Sequence, residues 1–208
     1  YADTVRLLLA IVPDVFANDI FAMKGGTAIN LVVQDMPRLS VDIDVVYLPW
    51  QTPRDEALQA INQELAAIAK TSDLFGVELE VPILAPNELY AGKLVAALDR
   101  QHPRDLFDVW QLYESGGISD GMVECFVVYL AGHNRPTHEV LFGNDKNIAG
   151  EYERAFVGMT EVECSLETLL EARVRLRHEL PGRLSAQHKQ FLSGLTRAQP
   201  DWSLLQCQ

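Results

Sequence analysis

A glycine pair followed by two carboxylates spaced Asp-x-Asp constrains this chain more than any other feature. The pair lies in Lys24-Gly25-Gly26-Thr27-Ala28-Ile29-Asn30-Leu31, the acids in Arg38-Leu39-Ser40-Val41-Asp42-Ile43-Asp44-Val45-Val46. Residues 41–48 alternate as a strand, with Val41, Ile43, Val45 and Tyr47 on one face and Asp42, Asp44 and Val46 on the other. Both acids therefore point the same way. A strand rises roughly 3.3 Å per residue, which sets their α-carbons about 6.6 Å apart, a span over which two carboxylates converge on one divalent cation or bridge a pair. Gly25 and Gly26 permit a sharp turn, Thr27 can cap, and Ala28, Ile29, Leu31 and Val32 supply an apolar stripe for a helix that the turn opens.

Taken singly, a Gly-Gly pair is a tight turn and an Asp-x-Asp is a solvated strand face. In this order and spacing they outline a metal-dependent phosphoryl-transfer site. Backbone N–H groups at the helix start hold phosphates, and the following strand delivers metal-binding carboxylates to the same phosphates.

A second block runs from Leu84-Ala85-Pro86-Asn87-Glu88-Leu89-Tyr90-Ala91-Gly92-Lys93 through Asp99-Arg100 to His102-Pro103-Arg104-Asp105-Leu106-Phe107-Asp108-Val109. Asn87 after Pro86 reads as an N-cap, and Lys93, Ala97 and Arg100 at i, i+4, i+7 share one helical face, so two cations project from one stripe. The next helix starts with Pro103 at its first position, which suits a residue lacking an N–H. It places Leu106, Val109, Trp110 and Tyr113 at core spacing and Asp105 and Asp108 on a shared side at i, i+3.

With both blocks in view, KGGTAINL followed by RLSVDIDVVY, then the lysine helix and the Arg104-Asp105-x-x-Asp108 motif, the chain resembles the AbiEii family of nucleotidyltransferase toxins of abortive-infection and toxin–antitoxin systems. The two blocks cover about half of the chain. The resemblance implies Asp42 and Asp44 as the catalytic carboxylates that hold Mg²⁺ or Mn²⁺, and Lys24, Gly25, Gly26, Thr27, Ser40 and Arg104 as the nucleotide-binding set. It further implies Lys93 on the triphosphate and Asp105 or Asp108 organising the site. An NTP is the substrate, the 3′ end of tRNA the acceptor in some members, and an antitoxin the cognate partner. One departure stands out. The family carries a third carboxylate on a strand between the Asp-x-Asp element and the lysine helix, yet here only residues 71–82 lie between two helices. Glu78 and Glu80 are the candidates, and either the sheet is unusually small or residues near 70–74 mark an absent segment.

Composition sets outer limits. A chain of 208 residues, 48% hydrophobic and 22% charged, buries one core or one core plus a helical annex. Its longest apolar stretches are too short to span a bilayer and no signal peptide opens it, so no membrane partner and a cytoplasmic location are expected. It starts with Tyr1 and is expected to be a piece of the translated product. Three cysteines without C-x-x-C spacing imply neither a disulfide framework nor a zinc knuckle. A formal charge of −12 argues against nucleic-acid binding over a large surface. Positive charge gathers locally in Lys93, Arg100, His102 and Arg104 and in Arg173-Val174-Arg175-Leu176-Arg177-His178 with Arg183, His188 and Lys189. The latter run reads either as an RNA-end contact or as a helix face balanced by Glu161, Glu163, Glu167 and Glu171.

The fold expected is α/β (α+β), a small mixed sheet of nucleotidyltransferase type with flanking helices in residues 1–115 and a mostly helical part in residues 116–208. Its elements are a helix over residues 3–18 interrupted at Pro13, the turn and its helix, and the Asp-x-Asp strand. A helix opened by Thr52-Pro53-Arg54-Asp55, a strand over residues 77–83, and helices over 87–100 and 103–114 stopped by Ser115-Gly116-Gly117 follow. Two other functions fit the same residues. A small-molecule nucleotidyltransferase of the antibiotic-modifying type suits the acidic charge, and a non-catalytic nucleotide-binding module suits an incomplete carboxylate set.

Overall fold

The computed structural model describes residues 2–40, 42–68 and 82–206. Packing divides the chain into two compact units, Tyr1–Leu84 and Ala85–Gln208. Helices expected within residues 85–115 therefore belong, by their contacts, to the second unit.

In the first unit, helix α1 (Ala2–Val15) packs against helix α3 (Arg54–Ile68) and buries Val5, Leu8 and Val12. Pro13 does not interrupt α1 but sits in its last turn, so only the bond to the carbonyl one turn before it is lost and little helix follows. Strand β1 (Phe21–Lys24) is an element the sequence pattern conceals. Phe21, Ala22 and Met23 are all buried, and a strand covered on both faces has no alternation to read. It pairs antiparallel with β2 (Asp44–Tyr47) in the register Phe21↔Tyr47, Ala22↔Val46, Met23↔Val45, Lys24↔Asp44. On its other edge the Met23 N–H donates to the Pro82 carbonyl (2.7 Å) and the Leu84 N–H donates to the Met23 carbonyl (3.1 Å), a parallel bridge to Ile83. The expected small sheet is thus present as two antiparallel strands with one isolated parallel bridge beside them. β2 starts three residues later than expected, and most of the strand expected at residues 77–83, with Glu78 and Glu80, lies outside the described residues.

Between the strands, α2 (Gly25–Ala28) runs into a π-helical turn at Ile29–Val33 instead of continuing as one α-helix. Ala28 and Ile29 carry the burial, whereas Val32 faces solvent. The expected cap at Thr27 is corrected: Lys24 is the N-cap and offers no side-chain bond, because Thr27 lies inside the turn with its hydroxyl spent elsewhere. On α3, Leu58 is exposed.

The second unit is helical throughout its described residues. α4 (Pro86–Asp99) lies among α5 (Pro103–Glu114), α6 (Asp120–Ala131), α7 (Thr137–Phe142) and α9 (Leu166–Arg183), and α8 (Ala149–Ala155) covers α5. α10 (Ala186–Thr196) packs on α6, and a 3₁₀ turn at Trp202–Leu204 returns to α10 with the Trp202 ring 5.0 Å from that of Phe191. Leu94, Leu106, Val109, Phe126, Leu130, Leu169, Leu176 and Phe191 are fully buried along the facing stripes. Pro103 opens α5 as expected, capped by His102, whose Nδ1 accepts from the Arg104 N–H (3.2 Å). Asn87 is not the cap of α4. The helix begins one residue earlier, at Pro86 after Ala85, and the Asn87 Oδ1 accepts from the Ser119 hydroxyl (3.1 Å).

Candidate active site

In the first unit the glycine turn and the acidic strand are built as one object. Gly25 takes φ +75°, and a Cβ there would stand 2.0 Å from Asp44 Oδ2, so the Asp44 carboxylate lies directly on the turn because the side chain is absent. A Cβ on Gly26 would stand 2.6 Å from Arg38 Nη2 and 3.4 Å from Ser40 Oγ. The Thr27 hydroxyl bonds the Ser40 hydroxyl (2.8 Å) and the carbonyl of Asp42, and Asn30 Nδ2 donates to the Gly26 carbonyl (2.8 Å). The two Thr27 bonds stitch Ser40 and Asp42 to the turn. Thr27, Ser40 and Gly26 are buried, Lys24 and Gly25 are half-buried, and Asp42 and Asp44 are exposed. Solvent therefore meets two carboxylates beside a positive-φ turn. Arg38 is the residue sequence reasoning passed over. It is buried against Gly26 and donates from Nη1 to the Leu39 carbonyl (2.9 Å), and its signal was an arginine two residues before Ser40 at the threshold of an apolar strand.

In the second unit Lys93, Asp105 and Asp108 do come together. Lys93 Nζ lies 2.9 Å from Asp105 Oδ1 and 2.9 Å from Asp108 Oδ2, with all three side chains buried. Arg100 closes on Asp105 as a fork, Nε to Oδ2 at 2.5 Å and Nη2 to Oδ1 at 2.9 Å. Two cations and two carboxylates cancel, which is the condition for keeping charge in a core. Burial pushes the Asp105 carboxyl upward, but the Lys93 charge and the Arg100 hydrogen bond outweigh it and hold the group at about 2. Arg104 is half-buried on the first turn of the same helix.

The C-terminal arginine run is mostly internal. Arg173 donates to Gln101 Oε1 (3.1 Å) and the Lys146 carbonyl (2.8 Å), and Arg177 grips the Gly143 carbonyl and Asp145 (3.2 Å). Arg175 covers the Tyr113 ring at 3.8 Å, and Arg183 pairs with Asp120 (2.7 Å) and Glu179 (3.3 Å). These side chains clasp residues 143–146 and neighbouring helices. Among the described residues no three His, Cys, Asp or Glu side chains gather as a metal cluster, and no helix is long and apolar enough to cross a membrane.

A small antiparallel sheet whose second strand begins at Asp44, against the glycine turn, is consistent with a nucleotidyltransferase-type fold. The family model described as nucleotidyl transferase AbiEii toxin, type IV toxin–antitoxin system, matches residues 6–81 and 70–207, and the chain belongs to that family. Membership carries nucleotidyl transfer from an NTP and a cognate antitoxin with it. No curated protein and no solved structure matches the chain.

Proposed function

We propose that the chain moves a nucleotide from an NTP to an acceptor hydroxyl, with the 3′ end of tRNA as the acceptor and the cytoplasm as the place of action. The observation that carries this reading is the Asp44 carboxylate seated on the positive-φ Gly25 turn, with Asp42 tied to the same turn through Thr27. Two exposed carboxylates next to a phosphate-sized turn fit Mg²⁺ or Mn²⁺, hard cations that take one or two carboxylates and complete their shell with water and substrate phosphates. Asp42 and Asp44 would hold the ion, whose chemistry is to neutralise and polarise the reacting phosphoryl oxygens. Lys24, Gly25 and Gly26 offer the phosphates a cation and backbone donors, while Thr27 and Ser40, buried and bonded to each other, keep the turn in shape. Lys93, Asp105 and Asp108 are the buried charge cluster of the helical unit, with Arg104 on the first turn of the same α5 helix. Catalysis in this reading is positioning and electrostatic stabilisation of the displaced pyrophosphate.

The test is incubation of the protein with total cellular RNA, Mg²⁺ and each labelled NTP in turn, beside Asp42→Ala. Asp42 is exposed, so its loss spares the core. Label is expected in a tRNA-sized band with the wild type and to fall by at least about a hundredfold in the variant. Label that enters an added aminoglycoside instead of RNA would turn the reading to the small-molecule enzyme. Incorporation into neither would turn it to the binding module.

A further inference from the structure

Helix α9 is apolar on two sides. Leu169, Leu176 and Leu180 are fully buried within the helical unit, whereas on the outward side Leu170 is half-buried and Val174 is 60% exposed. With Glu167, Glu171, Arg175 and His178 these two line an open groove of about 800 Å³ and form one stripe at helical spacing. A lone exposed valine is ordinary on a protein surface. The order of the charges around it is not, for both acids lie in the N-terminal half of the stripe and both basic side chains in the C-terminal half. We infer that this face of α9 is a contact surface for a second copy of the chain, packed antiparallel across a two-fold axis near residues 172–173.

Within one chain these charges are left unmatched. Glu167, Glu171 and His178 are exposed and make no hydrogen bond or ion pair among the described residues. Arg175 stands at the i+4 position that favours a pair with Glu171, yet its Nε turns to Glu179 (3.5 Å). Its guanidinium carbon rests 3.8 Å from the centre of the Tyr113 ring, which holds the group in place while Nη1 and Nη2 bond nothing among the described residues. The helix dipole accounts for an acid in the first turn, Glu167, but its effect has fallen off by Glu171. The two-fold axis matches every group. Glu171 of one copy lies opposite Arg175 of the other, Glu167 opposite His178 and Leu170 opposite Val174, each to within one residue's rise, about 1.5 Å. Every contact then occurs twice, as isologous packing requires. A parallel pair would set acid on acid and base on base, and a partner helix of one sign would be repelled by half of the stripe. The formal charge of −12 on each copy opposes association at long range, but at physiological ionic strength it is screened beyond about 8 Å, a distance within which the paired side chains lie.

Sedimentation equilibrium of the full chain in physiological salt tests the inference. One helix face is a small interface, so self-association with a Kd of about 10–100 μM is expected. Glu171→Arg and Arg175→Glu should each weaken it at least about tenfold, since like charges then face each other at both symmetric contacts. An equimolar mixture of these two variants should associate again, because both pairs across the mixed dimer are of opposite sign, and the double variant should recover the homodimer. Mixing would not repair a merely structural effect of either substitution. Val174→Asp should abolish association by placing a carboxylate in the apolar centre of the contact. Circular dichroism establishes that each variant is folded, which the exposure of all three positions favours. A wild type that stays monomeric to about ten times the expected Kd, association indifferent to charge reversal, or variants that stay apart when mixed would each overturn the inference.

Discussion

Asp105 has a carboxyl held at about 2 in the fold against an ordinary 3.8, by Lys93 and Arg100 acting against burial. A depressed folded value means that the unfolded chain binds the proton more readily, so stability rises with pH through this window. The contribution is fully present above the unfolded value, near pH 4, and is lost as pH falls toward 2. Its size is about 2 kcal/mol. Urea unfolding at a series of pH values should show wild type losing that much more stability between pH 4 and 2 than Asp105→Asn, since other carboxylates titrate alike in both. Parallel curves would mean that Asp105 is not held by its two cations in solution. Above pH 5 the variant should be the less stable protein throughout, because Lys93 and Arg100 then lack half of their compensation.

At the level of elements, the β1–α2–β2 unit depends on two things at Gly25: a left-handed backbone and an open side toward Asp44. Alanine violates both, adding strain at φ +75° and a Cβ 2.0 Å from Oδ2. Gly158 shares the backbone demand at φ +80° but has no atom within 4 Å of the Cβ position, so Gly158→Ala measures strain alone. Gly158→Ala should cost about 1 kcal/mol and Gly25→Ala about 2–3 kcal/mol by chemical denaturation, and only the latter should depress nucleotidyl transfer. Equal costs would mean that Asp44 is not seated on the turn. The glycine turn, the acidic strand and the Pro103 start of α5 were legible in the sequence because each is a local signal, a missing side chain, an alternation or a missing N–H. Helical spacing put Lys93 and Arg100 on one stripe and Asp105 and Asp108 on a shared side of the next helix, but the pairing of Lys93 with both aspartates was not read from it. β1 was not legible, since a fully covered strand has no period, and neither was the role of Arg38 or Gln101. Their meaning lies in partners: Arg38 fills the space that Gly26 leaves open, and Gln101 bonds to residues more than forty positions away.

For the whole molecule the decisive quantity is charge. A chain at −12 repels a polyanion, and the arginines that could have offset this locally, Arg173, Arg177 and Arg183, are engaged with carbonyls, Asp145, Asp120 and Glu179. If the acceptor is an RNA 3′ end, contact must be confined to a few phosphates near exposed cations. Each phosphate neutralised on a single strand contributes about −0.7 to the slope of log K against log salt, so a grip on three or four phosphates gives a slope of about −2 to −3. Fluorescence anisotropy of a labelled single-stranded oligonucleotide ending in a free 3′ hydroxyl, titrated from 50 to 200 mM salt, is expected to return a slope in that range. A slope steeper than about −5 would require an extended basic face. The clasp that Arg173 and Arg177 make on residues 143–146 would then have to open in the complex, and variants of those two arginines would weaken RNA binding along with the loop they now hold.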